Sequence, residues 1–307
     1  MDLRNSVLLG VLSFLLSYIL TPMTIPLCYT VGAIDMPDGA RKVNTLPIPR
    51  LGGLGFFFAT MLVLFPYVGK SPTTGALLAG GAILMAGGIA DDVFSLSPIT
   101  KLFIQAAAAL VSLSFIGIPD ELTFFGILNV PLHGSVGFLI VFFRMVFTVN
   151  AVNFSDGLDG LASGLSAVAL FSLAAYGIAL GNTLPATAAL VLGAATLGFM
   201  PFNRYRAKVF MGDCGSQFLG LSIALLSLGT SPAGNFTLET ALFLFVPTLD
   251  TVITVTRRIL TGKSPFSADK GHLHHILLSF GISHPNAVKI LVSVSALIAA
   301  ATLIMAM

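Results

Sequence analysis

The sequence predicts an all-α, polytopic integral membrane protein with about ten transmembrane helices, on three observations. Of its 307 residues, 56% are hydrophobic and 9% charged, which is more apolar surface than a soluble domain of this length buries. The apolar residues gather into runs close to the roughly 20 residues that cross a bilayer as helix. The basic residues lie almost entirely on alternate connections between those runs, as orientation in a membrane requires.

The runs fall at 6–29, 52–68, 73–90, 102–118, 135–152, 161–180, 184–201, 215–228, 238–255 and 287–306. The first is too long for a signal-peptide core and lacks a small-residue cleavage site, so it reads as a spanning helix, kinked by Pro22 and Pro26. The second begins at a Gly-Gly pair after a polar segment, and the third ends at Asp91-Asp92. The fourth follows Lys101, and the fifth carries Arg144, a charge that must face protein or water rather than lipid. A short 180–184 connection separates the sixth and seventh, the eighth starts beyond Asp213, and the ninth and tenth flank a long polar loop. With no repeat, low-complexity tract or soluble segment, residues 1–307 read as one membrane domain. Cys28 and Cys214, one in a run and one in a loop, imply no disulfide framework.

Arg41, Lys42, Arg50, Lys101, Arg204, Arg206, Lys208, Arg257, Arg258, Lys263, Lys270 and Lys289 lie on or beside the odd-to-even connections, against Arg4 and Lys70 opposite. The positive-inside rule makes the first set cytoplasmic and puts both termini outside. The net charge of +2 does not suggest a nucleic-acid partner. The cytoplasmic loops, 31–51, 91–101, 153–160, 202–214 and 256–286, hold eight of the 13 acids and four of the five histidines. Chemistry is therefore expected on that side.

Several carboxylates converging on one membrane boundary need a cation. Asp91-Asp92 ends a helix, where negative charge is unfavourable by about 0.3–1 kcal/mol, and Lys101 is placed to fold back toward the pair. In Asn153-Phe154-Ser155-Asp156-Gly157-Leu158-Asp159-Gly160 the oxygen-bearing residues recur every third position, on one face if the helix continues. Such oxygens suit a hard cation that also takes substrate phosphates. Asp213 precedes the eighth run, either as its N-cap or as a metal ligand, and the free N–H groups of that helix start would form an anion site. His272, His274 and His275 lack the partners and spacing of a zinc site, and beside basic residues they suit phosphate oxygens better. A transporter is the rival from another class, but its sites usually lie near the midplane.

Together Asp91-Asp92-Val93-Phe94, the 153–160 segment, Val209-Phe210-Met211-Gly212-Asp213-Cys214-Gly215-Ser216 and Asp269-Lys270-Gly271-His272-Leu273-His274-His275 resemble the polyprenyl-phosphate N-acetylhexosamine-1-phosphate transferases, glycosyltransferase family 4. The resemblance runs from about Asp35 to His275. It implies a multi-pass enzyme of the bacterial inner (plasma) membrane that transfers a sugar 1-phosphate from a UDP-sugar to a polyprenyl phosphate, undecaprenyl phosphate in bacteria, releasing UMP. Magnesium is the implied cofactor, with manganese as a substitute, and a homodimer is compatible with it. Pro47-Ile48-Pro49-Arg50-Leu51-Gly52-Gly53 and His272-Leu273-His274-His275 look like the UDP-N-acetylglucosamine branch, which starts teichoic acid, O-antigen or common-antigen assembly. The alternative, the phospho-N-acetylmuramoyl-pentapeptide transferases of peptidoglycan synthesis, has three consecutive histidines and then an acid. Here Leu273 interrupts the run and Ile276 follows it.

Carried over by position, the resemblance implies Asp213 and Asn153 as metal ligands and Asp91, Asp92, Lys101 and His272 as the catalytic set. Asp156, Asp159, Asn203 and Phe210 match the nucleotide pocket, with Phe210 suited to stack on uracil. His274 and His275 match the loop that meets the diphosphate and sugar, and Arg41 and Lys42 a basic patch of the first loop.

Overall fold

A computed structural model describes residues 2–37, 46–232, 235–262, 264 and 271–307, with the backbone alone for Val68. Every predicted run is helical. In order the helices are α1 (Leu3–Val31), α2 (Gly53–Leu64), α3 (Pro72–Phe94), α4 (Pro98–Ile116), α5 (Gly134–Phe154), α6 (Leu161–Ala179), α7 (Thr183–Asn203), α8 (Gly212–Thr230), α9 (Phe245–Leu260), α10 (Leu273–Ser279) and α11 (His284–Ala306). Two runs are only partly α-helical: the second tightens to a 3-10 turn over Phe65–Lys70, and the ninth begins as one over Leu238–Leu244. The short α10 was not expected from the sequence.

Among the described residues, eight segments are long and apolar enough to span a membrane by length and composition, against the ten runs expected. The two that drop out do so for different reasons. The α-helical part of α2 has 12 residues, too few for a full crossing. The 19 residues of α8 are long enough, but its first turns carry Asp213, Ser216 and Gln217. It packs against α2, α3, α5, α6 and α7. A helix surrounded by protein needs no uniformly apolar surface, so length and hydropathy undercount it.

The outer helices show the opposite polarity from a soluble bundle. Leu8, Leu15 and Ile19 of α1 are exposed, as are Phe103 of α4 and Leu297 and Ile304 of α11. Ser13, Ser17, Thr21 and Thr24 of α1 are buried, and small residues of this kind let α1 approach α7 and α2 closely. Arg144 also faces protein: it donates to the Ala224 carbonyl at 3.3 Å and Ser227 Oγ at 2.7 Å, and stacks 4.3 Å over Phe236. Cys214, expected in a loop, is buried in α8, and both cysteines are free.

Alternation of direction brings the C-terminal ends of α1, α3, α5, α7 and α9 to one face, together with the N-terminal ends of α2, α4, α6, α8 and α11. A two-residue antiparallel pair, β1 (Ile34–Asp35) with β2 (Ile48–Pro49), lies at this face. At the other face β3 (Glu121–Phe124) pairs antiparallel with β4 (Leu128–Pro131) and parallel with β5 (Asn235–Thr237).

Candidate active site

The site is built around the start of α8. Gly53 and Gly88 let α2 and α3 press against it: a Cβ on Gly53 would stand 2.5 Å from the Gly215 Cα, and one on Gly88 would overlap the Cys214 backbone. Gly212 makes the entry turn at φ +71°, a conformation that favours glycine. This close approach brings Asp92, near the end of α3, onto the α8 N-terminus. Its Oδ1 accepts from the Asp213 N–H at 3.0 Å and its Oδ2 from the Cys214 N–H at 3.1 Å. The helix start is an anion site, as expected, but the anion it holds is Asp92 rather than a substrate group. The unfavourable placement of Asp92 at one helix end is offset by its favourable placement at another.

The N-cap of α8 is Met211, so the capping alternative for Asp213 is excluded. The Asp213 carboxylate accepts from Lys101 Nζ at 2.5 Å, Asn153 Nδ2 at 3.0 Å and Gln217 Nε2 at 3.3 Å. Lys101 folds back as anticipated and also pairs with Asp91 Oδ2 at 2.5 Å. The other Asp91 oxygen accepts from the Leu96 N–H at 2.7 Å. Asn153 donates as well to Ser216 Oγ at 2.9 Å, which leaves its amide oxygen without a hydrogen bond among the described residues.

These groups border a cavity of about 290 Å³. Asp92, Asn153, Asp156, Asp159, Phe210, Asp213 and His275 of the predicted set line it, joined by Asp35, Arg50 and His284. The shared helical face expected for Asn153, Asp156 and Asp159 does not form, because α5 ends at Phe154; turns through Gly160, at φ +81°, carry the two acids into the same cavity. Asp159 is fixed by the Ala207 N–H at 3.0 Å. Asp156 has no side-chain partner among the described residues, and burial, then the charges of Asp213 and Asp92, push its carboxyl well above the usual range. The Phe210 backbone is tied at both ends, donating to the Pro49 carbonyl and accepting from the Gly52 N–H.

Other expected residues stand behind the wall. Asn203 is buried, accepting from Ser163 Oγ at 2.9 Å and donating to the Val209 carbonyl at 3.2 Å, and so braces the loop that leads to Phe210. His272 Nδ1 lies 2.8 Å from Asp250 Oδ2, while Asp250 Oδ1 accepts from the Leu273 N–H at 2.7 Å. His274 stacks on His272 with ring centroids 5.5 Å apart, and burial pushes it down to about 3. It fills the space that a side chain at Gly157 would need. The three histidines therefore divide their work: only His275 lines the cavity. Arg41 and Lys42 lie outside the described residues.

Sequence reasoning missed Asp250, His284 and the Arg50–Asp35 pair at 3.0 Å. An acid inside the ninth apolar run was a usable signal for Asp250. Arg258, 5.5 Å from the Phe154 ring, was counted only as a loop charge.

The donor set suits a hard cation. Carboxylate and amide oxygens line the cavity, Asp156 is unpaired, and Arg50 is the one lining lysine or arginine among the described residues. Among those residues, no three His, Cys, Asp or Glu side chains form a compact cage. A hard cation of this kind binds through one or two protein groups and is completed by water and phosphate.

The Glycosyl transferase family 4 pattern matches residues 74–231, from the start of α3 to just past α8. The chain belongs to this family. Its relatives in the family extend the match to most of its length. The "Probable undecaprenyl-phosphate N-acetylglucosaminyl 1-phosphate transferase" of Bacillus subtilis is 37% identical, over 92% of this chain and 79% of the relative. The decaprenyl-phosphate N-acetylglucosaminephosphotransferase of Mycobacterium tuberculosis is 35% identical over 94% and 80%. The undecaprenyl-phosphate alpha-N-acetylglucosaminyl 1-phosphate transferase of Escherichia coli is 32% identical over 88% and 75%. Family membership gives the acid-lined cavity its context: a multi-pass membrane glycosyl-1-phosphate transferase.

Proposed function

We propose that this protein transfers N-acetylglucosamine 1-phosphate from UDP-N-acetylglucosamine to undecaprenyl phosphate, releasing UMP, as the first membrane step of a cell-envelope glycopolymer. The observation that carries the reading is the convergence of Asp92, Asn153, Asp156 and Asp213 on one cavity, in a chain whose relatives are named for this transfer.

A phosphate oxygen of the lipid attacks the phosphorus attached to the sugar, the P–O bond to UMP breaks, and UMP leaves with the bonding electrons. Two anions must meet, so positioning and charge neutralisation dominate the barrier. A bound magnesium ion, held by Asp213 and Asn153, would neutralise diphosphate charge. Lys101 fixes Asp213 and Asp91 relative to one another, and Asp92 fixes the end of α8 that presents Asp213. Asp91 is off the cavity wall, so its role is to hold Lys101 rather than to finish a deprotonation. With a second phosphate pKa near 6, the acceptor needs little help near neutral pH. Both Asp92 oxygens accept backbone N–H groups, which supports direct displacement over an aspartyl-phosphate on Asp92. His275 and Arg50 line the cavity as donors to phosphate oxygens, and Phe210 offers a ring for the base.

The site face carries Arg50, Lys101, Arg204, Arg206, Lys208, Arg257 and Arg258, and the other face Arg4 and Lys70. This asymmetry supports a cytoplasmic site and outside termini in a bacterial plasma membrane.

The test is UMP release by the purified protein. Release is expected only with UDP-N-acetylglucosamine, undecaprenyl phosphate and magnesium together, with loss on chelation and recovery on adding magnesium back. Preference for UDP-N-acetylmuramoyl-pentapeptide would overturn the branch, and UDP-sugar uptake without turnover would overturn the enzyme.

A further inference from the structure

We infer that His284, the first residue of α11, contacts the donor substrate and hydrogen-bonds its uridine half. The inference deepens the transfer reaction proposed above and rests on it. His284 is 8% exposed and forms part of the cavity wall. Among the described residues neither of its ring nitrogens makes a hydrogen bond of good geometry, although the backbone and carboxylate of Asp159 lie beside the ring. Buried polar groups ordinarily find partners because desolvating an unpaired one is costly. A histidine kept in that state at the wall of a ligand cavity is explained by a partner that arrives with the ligand.

Its surroundings hold it there. The Ser283 carbonyl accepts the N–H groups of Asn286 and Ala287, which anchors the helix start. One and two turns on, Ala287 and Leu291 pack with Leu158, Leu161 and Leu165. The Tyr205 ring lies 4.8 Å from the imidazole. The segment that carries Asp156 and Asp159 is thus the one against which α11 seats His284.

Charge selects which part of the donor it meets. Asp159 lines the same cavity beside His284, and among the described residues its carboxylate is held by the Ala207 N–H rather than by a lysine or arginine. Phosphate oxygens brought beside this carboxylate would be repelled. Uracil and ribose are neutral and present both donors and acceptors, and a neutral imidazole offers one of each. Phe210 shares the cavity and supplies a face on which a base can stack.

The experiment compares His284→Ala, His284→Phe and His284→Gln in the full chain. Phe fills the space and removes the unpaired nitrogens, so it separates folding from recognition, while Gln keeps hydrogen-bonding capacity. Ala and Phe are expected to raise the KM for UDP-N-acetylglucosamine and the inhibition constant of UMP by about tenfold, or about 1.4 kcal/mol. The KM for undecaprenyl phosphate and inhibition by inorganic pyrophosphate should stay within about twofold of wild type, and Gln should recover part of the loss. Unchanged UMP inhibition in the Phe variant overturns the inference, as does an equal loss of pyrophosphate inhibition. If the wild type does not turn over UDP-N-acetylglucosamine, the proposed function fails. Calorimetric UMP binding then decides His284 alone: tenfold weaker binding in the Phe variant supports it, and equal binding refutes it.

Discussion

Replacing Asp92 by asparagine separates a structural account of this residue from a chemical one. Its two oxygens accept N–H groups at 3.0 and 3.1 Å from consecutive residues at the α8 start. Asparagine keeps one carbonyl acceptor and turns an NH2 group toward the other N–H. A net hydrogen bond to a charged group contributes about 1.5–3 kcal/mol, and charge at a helix N-terminus about 0.3–1 kcal/mol or more. Relief of repulsion from Asp213 offsets part of this, so a loss of about 2–4 kcal/mol is expected. At roughly 2–3 °C per kcal/mol for a chain this long, the melting midpoint should fall by about 5–10 °C. The sequence contains no Trp, but Cys28 and Cys214 are free and buried, so a thiol-reactive dye reports unfolding. Because α8 carries Asp213, turnover should fall with stability. An Asp92→Asn protein that melts like wild type but is inactive would refute this reasoning and restore Asp92 as a reacting group.

Lys101→Met removes the cation shared by Asp91 and Asp213. With the lysine side chain 29% exposed, the cost is discounted to roughly 2–3 kcal/mol, and a double-mutant cycle with Asp213→Asn should show strong coupling. Asp250→Asn frees His272 and weakens the start of α10; kcat is expected to fall about tenfold or more with the UDP-sugar KM little changed, and an unchanged kcat would remove His272 from the reaction. His274, held near 3 in the folded chain against an ordinary 6.5, stays neutral while the unfolded chain takes up a proton. Its contribution to stability is full above pH 6.5 and is lost as pH falls toward 3, by up to about 1.4 kcal/mol per unit; acid melts of His274→Gln should be correspondingly flatter. Asp156→Asn should raise the magnesium concentration for half-maximal activity by about tenfold without loss of stability, and an unchanged magnesium requirement would remove Asp156 from the cation's surroundings.

The helices were legible because a bilayer dictates both their length and their composition. The exceptions follow the same physics: α8 meets protein on its sides, and α2 stops after 12 helical residues. Motif residues on four separate loops were expected at one site, and Asp92, Asn153, Asp156, Asp159, Phe210, Asp213 and His275 do line one cavity. Their partners were not legible. Asp92 meets an N–H 121 residues away, and the meeting depends on how closely Gly88 lets α3 approach Cys214. His272, the N-cap of α10, and Asp250 of α9 lie 22 residues apart, a contact that no local pattern encodes. Asn203 matches the nucleotide pocket by position, yet its hydrogen bonds turn inward to support the loop.

The pairing pattern explains how so many acids share one membrane boundary. Asp35 has Arg50, Asp91 has Lys101, Asp92 has the N–H groups of α8, Asp159 has the Ala207 N–H, and Asp213 has Lys101, Asn153 and Gln217. Each pairing lowers the negative potential that an incoming diphosphate would meet. Among the described residues Asp156 is the acid in this group without a side-chain partner, and burial disfavours its charge. A cation entering with the diphosphate changes that balance, since its charge favours an ionised Asp156 as well as the phosphates. Cation and donor substrate should therefore bind with positive coupling, each weaker alone, because each neutralises what repels the other.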